Sequence, residues 1–194
     1  MDLPRIEQAS RTDPLIIPWP TYGNPNGLIQ FDQQEEWRAF IAGLDIDPRI
    51  PDIVRVKYIR AQKLYLLGWI DVDLIKAGEL VALTTLELAL TDRYGARFKT
   101  RNRTFAALLK HLVEVDGLTD EQMPMVARYG GTVIGQLLGT TRPTLAQRRN
   151  AMAHGDPFDG LPVVGLLELV RDLITFAYRQ FLTGHHANIP PMHR

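Results

Sequence analysis

The chain has 194 residues, 45% of them hydrophobic, and its 22 Lys or Arg residues balance its 22 Asp or Glu residues. That length and apolar content suffice for one domain with a sizeable core plus a peripheral arm, while a net charge of zero argues against a general nucleic-acid coat protein and leaves room only for a local basic patch. The absence of cysteine excludes disulfides, thiolate metal sites and a cysteine nucleophile, and suits a reducing compartment, so a cytoplasmic location is expected.

The opening stretch, MDLPRIEQASRTDP, has no apolar segment of the kind a secretory leader carries. No run of roughly 18 apolar residues reads as a spanning helix, so no membrane partner is expected. Residues 1–31 are rich in Pro, Gly and Asn, and Pro14, Pro18, Pro20 and Pro25 forbid a helix there. LIIPWPTYGNPNGLIQF reads as a loose hairpin around Asn24–Gly27, confined by proline to an edge. Asp32 caps a short helix to about Leu44, with Glu35 supporting a capping box. Residues 1–45 are therefore expected to form an arm and short helix lying on the body.

LDIDPRIP breaks the chain. Pro51 suits a first helical position, and Ile53, Val56, Ile59, Leu66, Leu67 and Ile70 predict a helix ending near Trp69. Asp71 restarts a long helix to about Tyr94, stopped by Gly95. After a polar, basic stretch, RYGARFKTRNRT, Thr104 opens a helix through Val115 that Asp116–Gly117 closes. Thr119 and Gln122 form a second capping-box candidate at the head of a short helix. Pro143 reads as just inside a helix that ends at Gly155, and Pro162 as the opening of the last helix. The stripe Leu166, Val170, Leu173, Ala177 and Phe181 is the clearest helical period in the chain. The sum is an all-α antiparallel bundle over residues 46–184 and a flexible tail over residues 185–194.

Chemistry concentrates in TLAQRRNAMAHG. Asn150 and His154 are four apart on a helix and therefore neighbours, so the amide can hydrogen-bond the imidazole and select its tautomer. Arg149 lies about 140° from His154 at 100° per residue, so the two meet on one ligand only if the last turn loosens or a second chain supplies the other half. A cation, a titratable imidazole and an amide suit phosphodiester chemistry. The competing reading is a histidine that merely favours a helix C-terminus through the dipole. Glu87 falls inside the apolar stripe Leu80, Leu83, Leu90 and Tyr94, where a lone carboxylate needs a partner, and Arg149 or Arg148 is the candidate; the alternative is a carboxylate snorkelling at the stripe's edge. Arg97, Lys99, Arg101 and Arg103, interleaved with Phe98 and Phe105, form a basic run that can hold an RNA backbone and stack bases, or simply a solvated loop. The HHANIPPMH tail resembles a metal site only by residue count, and DPFDG after His154 reads as a turn, so no metal or cofactor is expected.

RNAMAHG resembles the Arg-x4–6-His motif of HEPN domains, in which a polar residue often follows the arginine. LTTLELALTDRYG is similar to that family's preceding long helix, and TFAALLKHLVEVDGLT to its intervening stretch; the resemblance covers roughly residues 50–182. It implies a helical bundle that dimerises with two motifs facing a shared cleft, and a metal-independent ribonuclease that leaves a cyclic phosphate. Arg149 and His154 would be the catalytic pair, with Asn150 the polar residue between them. It also points to toxin–antitoxin or defence systems, in which an antitoxin or a nucleotidyltransferase-like partner silences the chain. Other members of the family are catalytically dead sensors or scaffolds. IGQLLGTTRPTLAQRRNAM competes with this reading as a DNA-binding helix-turn-helix: Ile134, Leu138 and Leu145 fall on its core positions and Gly135 and Gly139 where small and turn residues are wanted, with Arg142, Gln147 and Arg148 to read a groove. Thr140 and Arg148 misfit that pattern, occupying places that want apolar residues.

Overall fold

The computed structural model describes residues 12–155 and 160–184. The strands β1 (Leu15–Pro18) and β2 (Leu28–Phe31) pair antiparallel, with Leu15 opposite Phe31 and Pro18 opposite Leu28. Reciprocal backbone bonds of 2.9 Å between Thr21 and Asn24 close the expected hairpin. Leu15, Ile17 and Trp19 are at most 2% exposed and belong to the same buried cluster as the helices, so this hairpin contributes core rather than only leaning on it.

The helix α1 (Gln34–Ala42) starts one residue later than Asp32 predicts. Glu36, not Glu35, closes the capping box by accepting from the Gln33 N–H at 3.2 Å. Asp32 instead accepts from the Gln30 carboxamide at 2.7 Å.

In α2 (Asp52–Leu67) the buried residues are Val54, Tyr58, Ala61, Gln62 and Tyr65. Of the aliphatic residues that predict this helix, Ile53, Val56, Leu67 and Ile70 face out at 60, 46, 38 and 40% exposed, while Ile59 and Leu66 are half-buried. Two phenol rings bury more area than branched aliphatics, and Tyr58 can also satisfy its polar tip. The Tyr58 hydroxyl donates to the Leu44 carbonyl at 2.7 Å. Tyr65 packs against Gly78 of the next helix, where a Cβ would lie 2.6 Å from the ring, so a glycine is what lets the two helices approach.

That next helix, α3 (Asp73–Tyr94), is the longest, and it packs on α2. Asp71 begins it by accepting from the Asp73 N–H at 3.0 Å. Two 3-10 turns, Gly95–Arg97 and Thr100–Asn102, carry the basic run to α4 (Phe105–Glu114), which Thr104 caps through the Ala107 N–H at 3.2 Å. The Thr119–Gln122 capping box encloses a 3-10 turn, Asp120–Gln122, rather than an α-helix. The short helices α5 (Pro124–Tyr129), α6 (Ile134–Leu138) and α7 (Leu145–Ala153) follow, then α8 (Leu166–Gly184), which packs on α3.

Two helix starts differ from the proline-based expectation. Pro143 precedes the cap Thr144 rather than lying inside α7. The helix α8 begins four residues after Pro162, because Gly165 has φ 59° and the Val163 N–H is taken by the Glu79 carboxylate. The stripe of α8 is as expected, with Leu166, Val170, Leu173 and Ala177 buried. Beside it lies a polar network absent from that expectation. Glu168 accepts from the Trp19 indole at 2.9 Å and pairs with Arg128 and Arg171. Asp172 accepts from the Met125 N–H at 3.0 Å. Hairpin, α5 and α8 are thus joined by hydrogen bonds as well as by packing.

The described chain is mostly helical with one two-stranded sheet. No helix among the described residues is long and apolar enough to cross a membrane. Burial of the hairpin has a measurable consequence. Trp19→Ala should cost about 3–5 kcal/mol in urea unfolding, the range for deleting a buried large aromatic. A loss under about 0.5 kcal/mol, the surface-substitution range, would return the hairpin to the status of an arm.

Candidate functional site

With nine residues, α7 is shorter than an isolated helix needs to be stable in water. Its first turn is fixed locally. The Thr144 hydroxyl accepts from the Gln147 N–H at 3.0 Å, and the Gln147 carboxamide accepts from the Thr144 N–H at 2.9 Å. Leu145 and Ala146 are its buried residues, both in that turn.

The second turn is held by charge. Arg149 donates to Glu87 of α3 at 2.5 Å, and its guanidinium lies over the Phe105 ring at 5.6 Å. The two side chains are 21 and 29% exposed, so water screens the pair only in part. Arg149 is the partner that the carboxylate in the apolar stripe needed. A hydrogen bond to a charged group in such a setting contributes about 1.5–3 kcal/mol.

Asn150 and His154 stand apart from that pair. Both are exposed. Asn150 lies along a groove of about 420 Å³ with Lys110, Arg142 and Gln147. His154 is the C-cap residue; its backbone N–H donates to the Asn150 and Ala151 carbonyls at 3.0 and 3.1 Å, and Gly155 with φ 85° ends the helix. Among the described residues, no side chain bonds the His154 imidazole, so the expected Asn150 contact is not made. The helix runs regularly through Ala153, so no loosened turn carries His154 toward Arg149. One chain therefore presents the cation against α3 and α4, and the imidazole to solvent.

The basic run is exposed at Arg97, Lys99, Arg101 and Arg103. Arg97 meets the His111 ring nitrogen at 3.1 Å and lies over Tyr94 at 5.8 Å. Burial and this neighbouring cation hold the His111 pKa below its usual value. Phe105 is not available to stack a base. It is 2% exposed, because it opens the apolar face of α4 with Leu108, Leu109 and Leu112. Instead it connects the two features, ending the basic run and lying beneath Arg149.

Arg148 does not join this face but turns toward a cavity beneath residues 161–164. The floor there rests on Lys76 and Glu79, which sequence reasoning passed over although their i, i+3 spacing marks a pair. Glu79 is fully buried. One oxygen accepts from the Val163 N–H, and Lys76 lies 3.6 Å from the other while donating to the Leu161 carbonyl at 2.6 Å. The His185, His186 and His193 tail and residues 156–159 of the expected turn lie outside the described residues. Among the described residues, no three His, Asp or Glu side chains are grouped to hold a metal. Comparison with protein-family models, with curated proteins and with solved structures finds no match.

Burial raises the Glu79 carboxyl from 4.5 to about 7, against the opposing pull of Lys76. Its folded pKa exceeds its unfolded one, so folding takes up a proton between those values. The associated stability is full below the unfolded pKa and is lost as pH rises toward 7, by at most about 3 kcal/mol. The urea midpoint of the wild type should therefore fall from about pH 5 to about pH 8 more steeply than that of Glu79→Gln. Equal slopes for the two proteins would contradict this assignment.

Proposed function

We propose that the chain is a HEPN-type endoribonuclease that cleaves RNA without a metal, and that it works as a homodimer. In this reading Arg149 of one protomer and His154 of its partner complete each site across the two-fold axis. The observation that carries it is the division of labour on α7: an arginine oriented by Glu87 and Phe105, and, at the exposed end of the same short helix, an imidazole that no side chain among the described residues bonds. His154 moves the proton of the attacking 2′-hydroxyl or protonates the departing 5′-oxygen. Arg149 retains donors beyond the one given to Glu87, and these stabilise charge on the phosphorane. The 2′-oxygen–phosphorus bond forms, the phosphorus–5′-oxygen bond breaks, and the products end in a cyclic phosphate and a 5′-hydroxyl. Asn150 and Arg142 border the groove beside the reacting groups, and Arg97, Lys99, Arg101 and Arg103 hold the backbone that leads to it. An antitoxin or nucleotidyltransferase-like partner that covers this face belongs to the same proposal, on the strength of the resemblance alone.

A second reading keeps the fold and drops the reaction. It is favoured by one observation: the Arg149 charge is already matched by Glu87 within the chain. A non-catalytic RNA sensor or scaffold needs no more than the exposed basic run. The helix-turn-helix reading loses support. The helix α6 has five residues, and residues 139–144 separate it from α7, a longer link than the roughly 3–4-residue turn of that motif. Arg148, its intended groove reader, is half-buried.

Mixed cellular RNA in EDTA separates the two remaining readings. Wild type should cut it, and His154→Ala should be slower by roughly 10²–10⁴-fold, the usual cost of losing a general acid or base. The melting temperature should hardly move, because a histidine at a helix end contributes about 1 kcal/mol or less through the dipole. Equal rates for the two proteins, or cleavage that EDTA stops, would refute the mechanism. RNA binding with no cleavage by either protein would establish the sensor reading.

A further inference from the structure

A half-open cavity of about 330 Å³ lies between the hairpin loop, the α5–α6 connection, α7 and residues 161–164. Small-molecule sites begin at about this size. Its lining is mixed: Pro20, Met125 and Val164 are among the apolar residues, and four neutral polar residues, Asn26, Tyr129, Thr132 and Gln136, border it. The loop and the α5–α6 connection meet because Gly131, with φ 86°, has no side chain; a Cβ there would lie 3.1 Å from Pro25.

Arg148 is the one charged side chain among the described residues that line this space. Among the described residues it makes no ion pair, and its Nε is buried without a hydrogen-bond partner. The charges behind the walls are matched among themselves. Lys76 faces Glu79, while Arg128 and Arg171 face Glu168 and Asp172. Arg148 feels the Glu79 carboxylate behind the floor but makes no ion pair with it, so among the described residues two cations, Lys76 and Arg148, share that one carboxylate. A buried or half-buried guanidinium ordinarily has an anion on its fork.

We propose that this cavity binds a small organic anion, a flat ring carrying one phosphate or carboxylate. The anion lies on the Arg148 fork, which matches both groups with two parallel N–H donors. The ring lies against the apolar residues of the lining, such as Met125 and Val164, and its polar edge meets the Asn26 and Gln136 carboxamides, which offer both a donor and an acceptor. The site is separate from the proposed RNA chemistry, since consecutive residues on α7 point about 100° apart and Arg149 is turned toward Glu87. It stands whether or not the chain cuts RNA.

Isothermal titration of the full chain with AMP, UMP and 4-hydroxybenzoate tests this, with adenosine, 4-hydroxybenzamide and inorganic phosphate as controls. The phosphate and carboxylate arms identify which anion the fork takes. At least one ring-bearing anion should bind in the submillimolar range, with its neutral counterpart weaker by about tenfold to a hundredfold, as expected for a charge-assisted hydrogen bond. Arg148→Gln should lose affinity by a similar factor, and Val164→Phe, which fills the cavity, should abolish binding; circular dichroism reports whether each variant is folded. If Arg148→Gln does not fold, Val164→Phe decides. The proposal is overturned if no ring-bearing anion binds, if the neutral counterpart binds equally well, if inorganic phosphate alone binds as tightly, or if either folded variant binds like the wild type.

Discussion

One ion pair holds in place the short helix that carries all the candidate chemistry. The helix α7 buries only Leu145 and Ala146, both in its first turn, and its capping box fixes that same turn. Beyond them, Met152 packs partly buried against the core, and the bond from Arg149 to Glu87 at 2.5 Å with the Phe105 ring beneath the guanidinium ties the second turn to α3 and α4. This anchor decides the geometry of the site. An arginine committed to α3 cannot also swing toward its own His154 about 140° around the axis. The same contact that stabilises the fold thereby places Arg149 and His154 on different sides of one chain, which is why the proposed reaction needs two.

Adjacent arginines on α7 serve different ends. Arg149 is paired with a carboxylate, whereas Arg148 enters a cavity whose described lining holds no anion. Beneath that cavity, Lys76 and Glu79 hold the 161–163 segment through the Leu161 carbonyl and the Val163 N–H, so the segment between α7 and α8 is tied to α3 by polar contacts. The helix α3 is thus the common support for both faces of α7.

What was legible in the sequence is what has a local cause. Thr104 caps its helix, Asp71 starts another, and the stripe of α8 is buried where its period places it. Glu87 betrayed itself by interrupting an apolar stripe, and its partner was one of two residues named from charge alone. What was not legible depends on neighbours distant in sequence. The helix α2 has apolar residues around much of its circumference, and nothing local says that Tyr58 and Tyr65 face inward while Ile53 and Val56 face out; the Leu44 carbonyl and Gly78 decide it. Glu168 and Asp172 are like charges four apart, an unfavourable spacing alone, and only Trp19, Arg128, Arg171 and the Met125 N–H make it tolerable. Phe105 looked like a stacking platform because the basic run precedes it, but the leucines that follow draw it into the core.

The claim on which this account turns is that a complete site takes its arginine and its histidine from different protomers. Mixing His154→Ala with Arg149→Ala protein, after denaturation and co-refolding to exchange subunits, tests it most directly. Each variant alone should be inactive on RNA. A heterodimer of the two keeps one site with both residues intact and loses both from the other. Random pairing should then restore about one quarter of the wild-type sites. Cleavage at that level is the expected result. A co-refolded mixture no more active than either variant, with heterodimers demonstrably formed, would contradict it.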